Sequence, residues 1–231
     1  ICKKYNLKIV EDAAESLGSK YKIKKLKNRS SGTIGDIGCL SFNGNKIITS
    51  AGGGAILTKS REQHKKATYL INQATDKQFN YIHNNIGYNF RMSNINAAIG
   101  LAQLEKISFY IKRKKIINKF YEDFFKNFKQ LKINTFPTYS YNNYWQTTMI
   151  VNSKNPKLDI KKIRSSLSKY GFSIRQAWHP CHMQIPYKKF ESFKISNAPQ
   201  IASRLICLPC SAFLKKKQLL NICSVIKKSI K

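Results

Sequence analysis

The chain has 231 residues, enough for one large domain or two small ones around a real hydrophobic core. Apolar residues make up 42%, but their uninterrupted runs last only a few positions, far short of the roughly 18 that cross a bilayer, so no membrane span is expected. The formal charge of +31 raises nucleic acid as a partner, yet the cations are 35 Lys and only 7 Arg, spread along the whole chain. Readers of phosphate and bases favour Arg clustered on one element, so the charge reads as a solvated surface and no nucleic-acid partner is expected.

Leu7–Val10, Ile37–Phe42 and Gly54–Thr58 are short apolar runs bounded by Gly or polar turns, and read as strands. A helix is expected over Arg61–Asn72. A second starts after Ser93 or Asn94, both good N-caps, and places Ile95, Ala98, Ile99 and Ala102 on one stripe. Its periodicity continues to about Lys129, with a break expected around Ser108. Further on, Tyr144–Val151 reads as a strand, Asp159–Tyr170 as a helix stopped by Gly171, and Leu214–Ile230 as a helix with Leu219, Ile222, Cys223, Ile226 and Ile230 on its apolar stripe. Ten of eleven glycines lie at or before Gly100 and all six prolines at or after Pro137, a composition shift near residue 130. The expected architecture is therefore α/β over residues 1–130, ending in a long connecting helix, and a smaller α+β domain over 131–231.

Three of the eleven carboxylates fall in Glu11-Asp12-Ala13-Ala14-Glu15, directly after a predicted strand. In open α/β sheets ligands gather at the carboxyl ends of strands, which places these acids to meet one; acids opening a helix are the plainer alternative. The second anomaly is Ser41-Phe42-Asn43-Gly44-Asn45-Lys46, followed by Gly52-Gly53-Gly54. A lysine sheltered between a strand end and glycines can act as an amine nucleophile toward an aldehyde, and Ser41 can offer a hydroxyl to a phosphate. No nucleotide P-loop is present, because Gly-Lys-Ser/Thr does not occur. An acid at one strand end with a lysine and a serine at another supplies what a pyridoxal phosphate site needs: a partner for the ring nitrogen, an amine for the aldehyde and a phosphate ligand.

The runs Val10-Glu11-Asp12-Ala13-Ala14-Glu15-Ser16, Gly35-Asp36-Ile37-Gly38-Cys39-Leu40-Ser41-Phe42-Asn43-Gly44-Asn45-Lys46 and Gly87-Tyr88-Asn89-Phe90-Arg91-Met92-Ser93-Asn94 resemble in order and spacing the DegT-type nucleotide-sugar aminotransferases, a fold type I pyridoxal-phosphate family. The resemblance implies the C-terminal portion of that family's large domain, a mostly parallel sheet with helices, plus a smaller α+β domain. It implies Lys46 as the lysine that bonds the cofactor and shuttles protons, and Asp12 as the partner of the pyridine nitrogen. Glu15 would lie near the cofactor's 3-hydroxyl, Ser41 would bind its phosphate, and Asn89 would reach the phosphate in a neighbouring subunit of a homodimer with shared sites. His83, Arg91, His179 and His182 are implied as substrate-side contacts. The implied reaction moves an amino group, from a donor such as glutamate, to a keto group of a nucleotide-linked sugar in surface polysaccharide or glycan biosynthesis. Members of the family carry a substantial further N-terminal portion, so a truncated or inactive member stands as the alternative.

His179 and His182 flank Pro180 and Cys181, and Cys207-Leu208-Pro209-Cys210 has C-x-x-C spacing. Pro180 opposes a helix presenting both imidazoles on one face, and the second motif follows an apolar run without a second cysteine pair, so no metal site is expected. Six cysteines are too sparse for a disulfide scaffold, and residues 1–15 show no cationic run followed by an apolar one, which together point to a cytoplasmic location.

Overall fold

The computed structural model describes residues 1–76, 80–151 and 160–230. In chain order the strands are β1 (Val10–Asp12), β2 (Lys20–Tyr21), β3 (Ile37–Ser41), β4 (Gly54–Thr58), β5 (Leu131–Ile133), β6 (Ser140–Tyr141), β7 (Thr147–Val151), β8 (Arg175–Gln176) and β9 (Leu205–Leu208). The helices are α1 (Arg61–Ile71), α2 (Asn94–Leu104), α3 (Ile107–Phe125), α4 (Ile160–Lys169), α5 (Asn197–Ala202) and α6 (Lys216–Ser229). The chain forms two compact units: residues 1–111 with 136–145, and residues 112–135 with 146–231. The division falls inside α3, whereas the composition shift had suggested a boundary near residue 130.

The first unit is built on the sheet β1-β3-β4. β1 and β3 run parallel, with Asp12 opposite Cys39, and β3 and β4 run antiparallel, with Ser41 opposite Gly54. The parallel character expected of this sheet thus holds for the first pair only, because the connection over residues 42–53 returns the chain directly alongside β3 rather than through a crossover helix. β1 begins later than the apolar run suggested. The carboxylate of Asp36 accepts the Ile9 N–H at 2.9 Å, taking the place of a ladder bond, and ladder pairing starts at Val10. The acids Glu11 and Asp12 therefore lie within the strand and open no helix.

α1 is capped by Ser60, whose hydroxyl accepts the Gln63 N–H, and α2 by Ser93, whose hydroxyl accepts the Asn96 N–H. The periodicity expected to run on from α2 to about Lys129 is broken at Glu105–Lys106, two to three residues before Ser108. α2 presents a face other than the one its apolar stripe predicted. Asn96 donates to the Ser50 carbonyl at 2.7 Å, Gln103 accepts the Thr49 N–H at 3.2 Å, and a Cβ on Gly100 would stand 3.2 Å from Ser50 Cβ. The small and polar stripe Asn96, Gly100, Gln103 faces this unit's own loop, and Ile95 and Ile99 are exposed.

The second unit carries an antiparallel sheet of order β5-β7-β9-β8. β7 alternates as a half-buried strand should, with Thr147, Met149 and Val151 buried. Met149 and Val151 meet Ile117, Tyr121 and Phe125 of α3, Ile163 and Leu167 of α4, and Leu219, Ile222, Cys223 and Ile226 of α6 in one apolar core. Each such side chain contributes roughly 1.5–3 kcal/mol on burial. The expected α6 stripe is this core face, and Gly171 adopts φ +76° after α4, the left-handed stop that favours glycine. The start of α4 expected at Asp159 lies outside the described residues.

Candidate active site

Lys46 follows the end of β3 by five residues, and Asp12 ends β1, its parallel neighbour. Both therefore come off the carboxyl edge of one parallel pair. Asp12 pairs in register with Cys39, and Ser41 lies two residues beyond Cys39, so the side chains of Asp12 and Ser41 leave the same face of the sheet. The Asp12 carboxylate is exposed and accepts the Ala14 N–H at 3.1 Å, while Ser41 Oγ accepts the Asn43 N–H at 3.4 Å.

The Lys46 side chain is only 12% exposed, and its ammonium stands 3.2 Å from Glu15 Oε1, which is itself half exposed. Its nitrogen also lies 4.8 Å from the centroid of the Trp145 ring. Glu15 reaches the lysine because the chain turns sharply after β1: Ser16 donates backbone N–H to Ala13 O, and Ser19 to Ser16 O. Residue spacing carries no sign of the Trp145 contact, since 99 positions separate the two residues; the indole's place beside a catalytic candidate shows only in the fold.

Glu11, the neighbour of Asp12, points elsewhere and does structural work. Its carboxylate accepts the N–H groups of Ile34 and Gly35 at 2.6 Å and of Gly32 at 3.0 Å. Partial burial alone would push its pKa up, but these amide bonds, aided by the positive charge of Arg29, outweigh it and hold the carboxyl below the usual glutamate range. Alternation along β1 is the signal that separates the two acids: adjacent residues of a strand face opposite sides.

The Gly87–Asn94 motif is placed by backbone pairing with the end of α1: Tyr88 N–H bonds Leu70 O, Phe90 N–H bonds Ile71 O, and Asn89 bridges Asn72. Gly87 is required there, since a Cβ would stand 2.4 Å from the Ala74 nitrogen. Asn89 and Arg91 are exposed, and His83 Nδ1 lies 2.9 Å from Gln73 O. Among the described residues no hydrogen bond or ion pair ties these three to Lys46 or Glu15. His179 and His182 belong to the second unit, the latter in a short 3-10 turn over Cys181–Met183. Among the described residues no three His, Cys, Asp or Glu side chains gather as a metal site, and no helix is long and apolar enough to cross a membrane.

The residues present suit pyridoxal phosphate. The Lys46 amine is sheltered but paired with a carboxylate that water also reaches, so it is not locked in a buried ion pair. In the residue before Lys46, Asn45 Oδ1 is buried and has no hydrogen-bond partner among the described residues. Asp12 and Ser41, the counterparts for a ring nitrogen and a phosphate, share one sheet face at the same edge.

The model of the DegT/DnrJ/EryC1/StrS aminotransferase family matches residues 1–227. GDP-perosamine synthase of Escherichia coli O157:H7 is 33% identical over 228 residues, 98% of this chain and 59% of the relative. Among solved structures, Helicobacter pylori PseC, an aminotransferase involved in the biosynthesis of pseudoaminic acid, superposes with a TM-score of 0.87 at 26% identity, covering 99% of this chain and 61% of PseC. The PLP form of Spr1654 from Streptococcus pneumoniae shares the fold, with a TM-score of 0.80 at 24% identity, over 99% of this chain and 59% of its own. The chain thus spans about three fifths of the length of these relatives. Sequence and fold agree: the chain belongs to the DegT/DnrJ/EryC1/StrS aminotransferase family.

Proposed function

We propose that this chain carries the lysine side of a pyridoxal-phosphate transaminase site whose amino acceptor is a keto group on a nucleotide-linked sugar. The observation that carries the reading is the sheltered Lys46 amine, 12% exposed, at the carboxyl edge of the β1–β3 pair that also bears Asp12. The substrate class follows from the company the chain keeps: a GDP-perosamine synthase among its relatives, and PseC among the solved structures. Pyridoxal phosphate, when bound, supplies an electron sink for the carbon that bears the transferred amine.

Lys46 would hold the cofactor through Nζ, and its amine, when free, would serve as the base and acid that moves a proton at the amine-bearing carbon. Asp12 holds a proton on the pyridine nitrogen, Ser41 donates its hydroxyl to the phosphate, and Glu15 accepts from the Lys46 ammonium whenever the lysine is free. Asn89 serves a neighbouring subunit of a homodimer, and His83, Arg91, His179 and His182 are assigned to the substrate. A second reading is favoured by the coverage of about three fifths of the relatives: the 231 residues hold the lysine site without sustaining turnover alone. The test is to titrate pyridoxal phosphate into the chain and into its Lys46→Met variant. A visible absorption band of lysine-bound cofactor in the parent, absent from the variant, supports the assignment. Equal spectra overturn it. Added amino donor and nucleotide-linked ketosugar then separate the two readings, since turnover appears only under the first.

A further inference from the structure

Lys46 is gripped at both ends by one side chain. The Trp145 indole Nε1 donates to the carbonyl of Asn45, the peptide immediately before Lys46, at 2.7 Å, while the same ring lies 4.8 Å from Lys46 Nζ. The ring is buried, with Trp145 8% exposed. Trp145 is in turn tied to Glu15 through Asn143, itself buried. Asn143 Nδ2 donates to the carbonyls of Glu15 and Leu17 at 2.9 and 3.0 Å, its backbone N–H donates to Ser19 Oγ at 3.1 Å, and its Oδ1 accepts the Trp145 N–H at 3.0 Å. Glu15 then closes the circuit on Lys46 at 3.2 Å.

The circuit joins three segments, at residues 15–19, 45–46 and 143–145, and residues 136–145 fold with the first unit although the chain on either side belongs to the second. Between Asn143 and Trp145, Tyr144 takes φ +55°, a backbone state that a bulky side chain adopts only when its surroundings impose it. Its ring is braced edge-on by Phe136 at 4.6 Å. A polar strap with this many satisfied bonds is more than is needed to cover a loop. What it does is restrain a four-carbon side chain whose free rotamers would otherwise scatter its amine.

We propose that the Asn143–Trp145 strap positions the Lys46 amine: Trp145 fixes the direction of the lysine and gives its ammonium a resting place against the ring, and Asn143 fixes Trp145. Its functional meaning rests on the reading of Lys46 as the cofactor lysine. Both strap residues are positioning residues, acting through Lys46. The ring attracts the ammonium through its electron-rich face, so removing it leaves the amine freer to react with any small electrophile.

The test needs no cofactor. The folded chain is reductively methylated with formaldehyde and cyanoborohydride, and the rate at Lys46 is read by peptide mass spectrometry against exposed Lys119. Trp145→Leu should raise the Lys46 rate by roughly two- to thirtyfold, the range of a lost cation–π contact. Asn143→Ala should raise it as well, and Trp145→Phe, which keeps a ring over the ammonium, should restore most of the protection. Rates at Lys46 unchanged in folded Trp145→Leu and Asn143→Ala overturn the proposal. Should both variants unfold, the decision passes to the Trp178→Phe chain, where Trp145 is the single remaining tryptophan. There Lys46→Met should shift the emission of Trp145, and an unmoved spectrum overturns the strap. Because none of these readouts involves pyridoxal phosphate, their failure leaves the transaminase reading standing, and failure of the cofactor to bond Lys46 leaves the strap standing.

Discussion

Glu11 Oε1 accepts the backbone N–H of Gly35 at 2.6 Å, across 24 residues, and with the bonds to Ile34 and Gly32 turns one carboxylate into the anchor of the loop before β3. Glu11→Ala leaves three amides without their acceptor and should cost about 1–3 kcal/mol, read from the urea midpoint. The sign with pH follows from the depressed pKa. A carboxyl held below its unfolded value contributes its stability in full above the ordinary glutamate range, and that contribution is lost as pH falls through the lower folded value. Glu11→Gln should therefore flatten the acid limb of the stability profile. An unchanged limb would show that the loop is held by other means.

Asp12 should separate binding from turnover. In a chain or longer form that transaminates, Asp12→Ala should still accept cofactor on Lys46 while the rate of amine exchange falls on the order of a hundredfold or more, the size of losing one preorganised electrostatic partner. Stopped-flow conversion with an amino donor measures it. Exchange at the parent rate would remove Asp12 from the ring nitrogen.

The second unit stands on its apolar core. Ile163 of α4 is fully buried among α3, α6 and the sheet, and Ile163→Ala should cost about 2–5 kcal/mol by lost transfer energy plus the cavity left behind. Thermal unfolding followed by far-ultraviolet dichroism reads the change.

Ile99 offers the contrast. It lies on the outward stripe of α2 and is 41% exposed, so Ile99→Lys should alter the stability of the 231-residue chain by no more than about 0.5 kcal/mol. A larger loss in urea unfolding of the chain at low concentration would mean that the stripe is covered.

The contrast also shows what a sequence discloses. The strand Gly54–Thr58 was legible to the residue, and α1 and α6 nearly so, because turn glycines, a serine cap and local periodicity mark such boundaries within a few positions. The stripe of α2 was equally periodic, yet its inward face is Asn96, Gly100 and Gln103. Periodicity identifies faces and is silent on what lies against them. β1 was displaced because the Asp36 side chain replaces a ladder bond to Ile9, a long-range substitution that composition does not record. At the site, the placement of Asp12, Ser41 and Lys46 at or just beyond strand ends was legible. The strap was not, since the contact of Trp145 with Lys46 depends on how residues 136–145 return to the first unit.

Lys46 is the centre of the proposed site, and the chain itself provides a stringent background, since it contains 35 lysines and this one is among the sheltered ones, 12% exposed. The chain is mixed with a stoichiometric amount of pyridoxal phosphate, reduced with borohydride and digested, and the phosphopyridoxyl label is mapped by mass spectrometry. Label concentrated on Lys46, ahead of lysines far more accessible to water, is the predicted result. Label spread over the exposed lysines with Lys46 unmodified would contradict it.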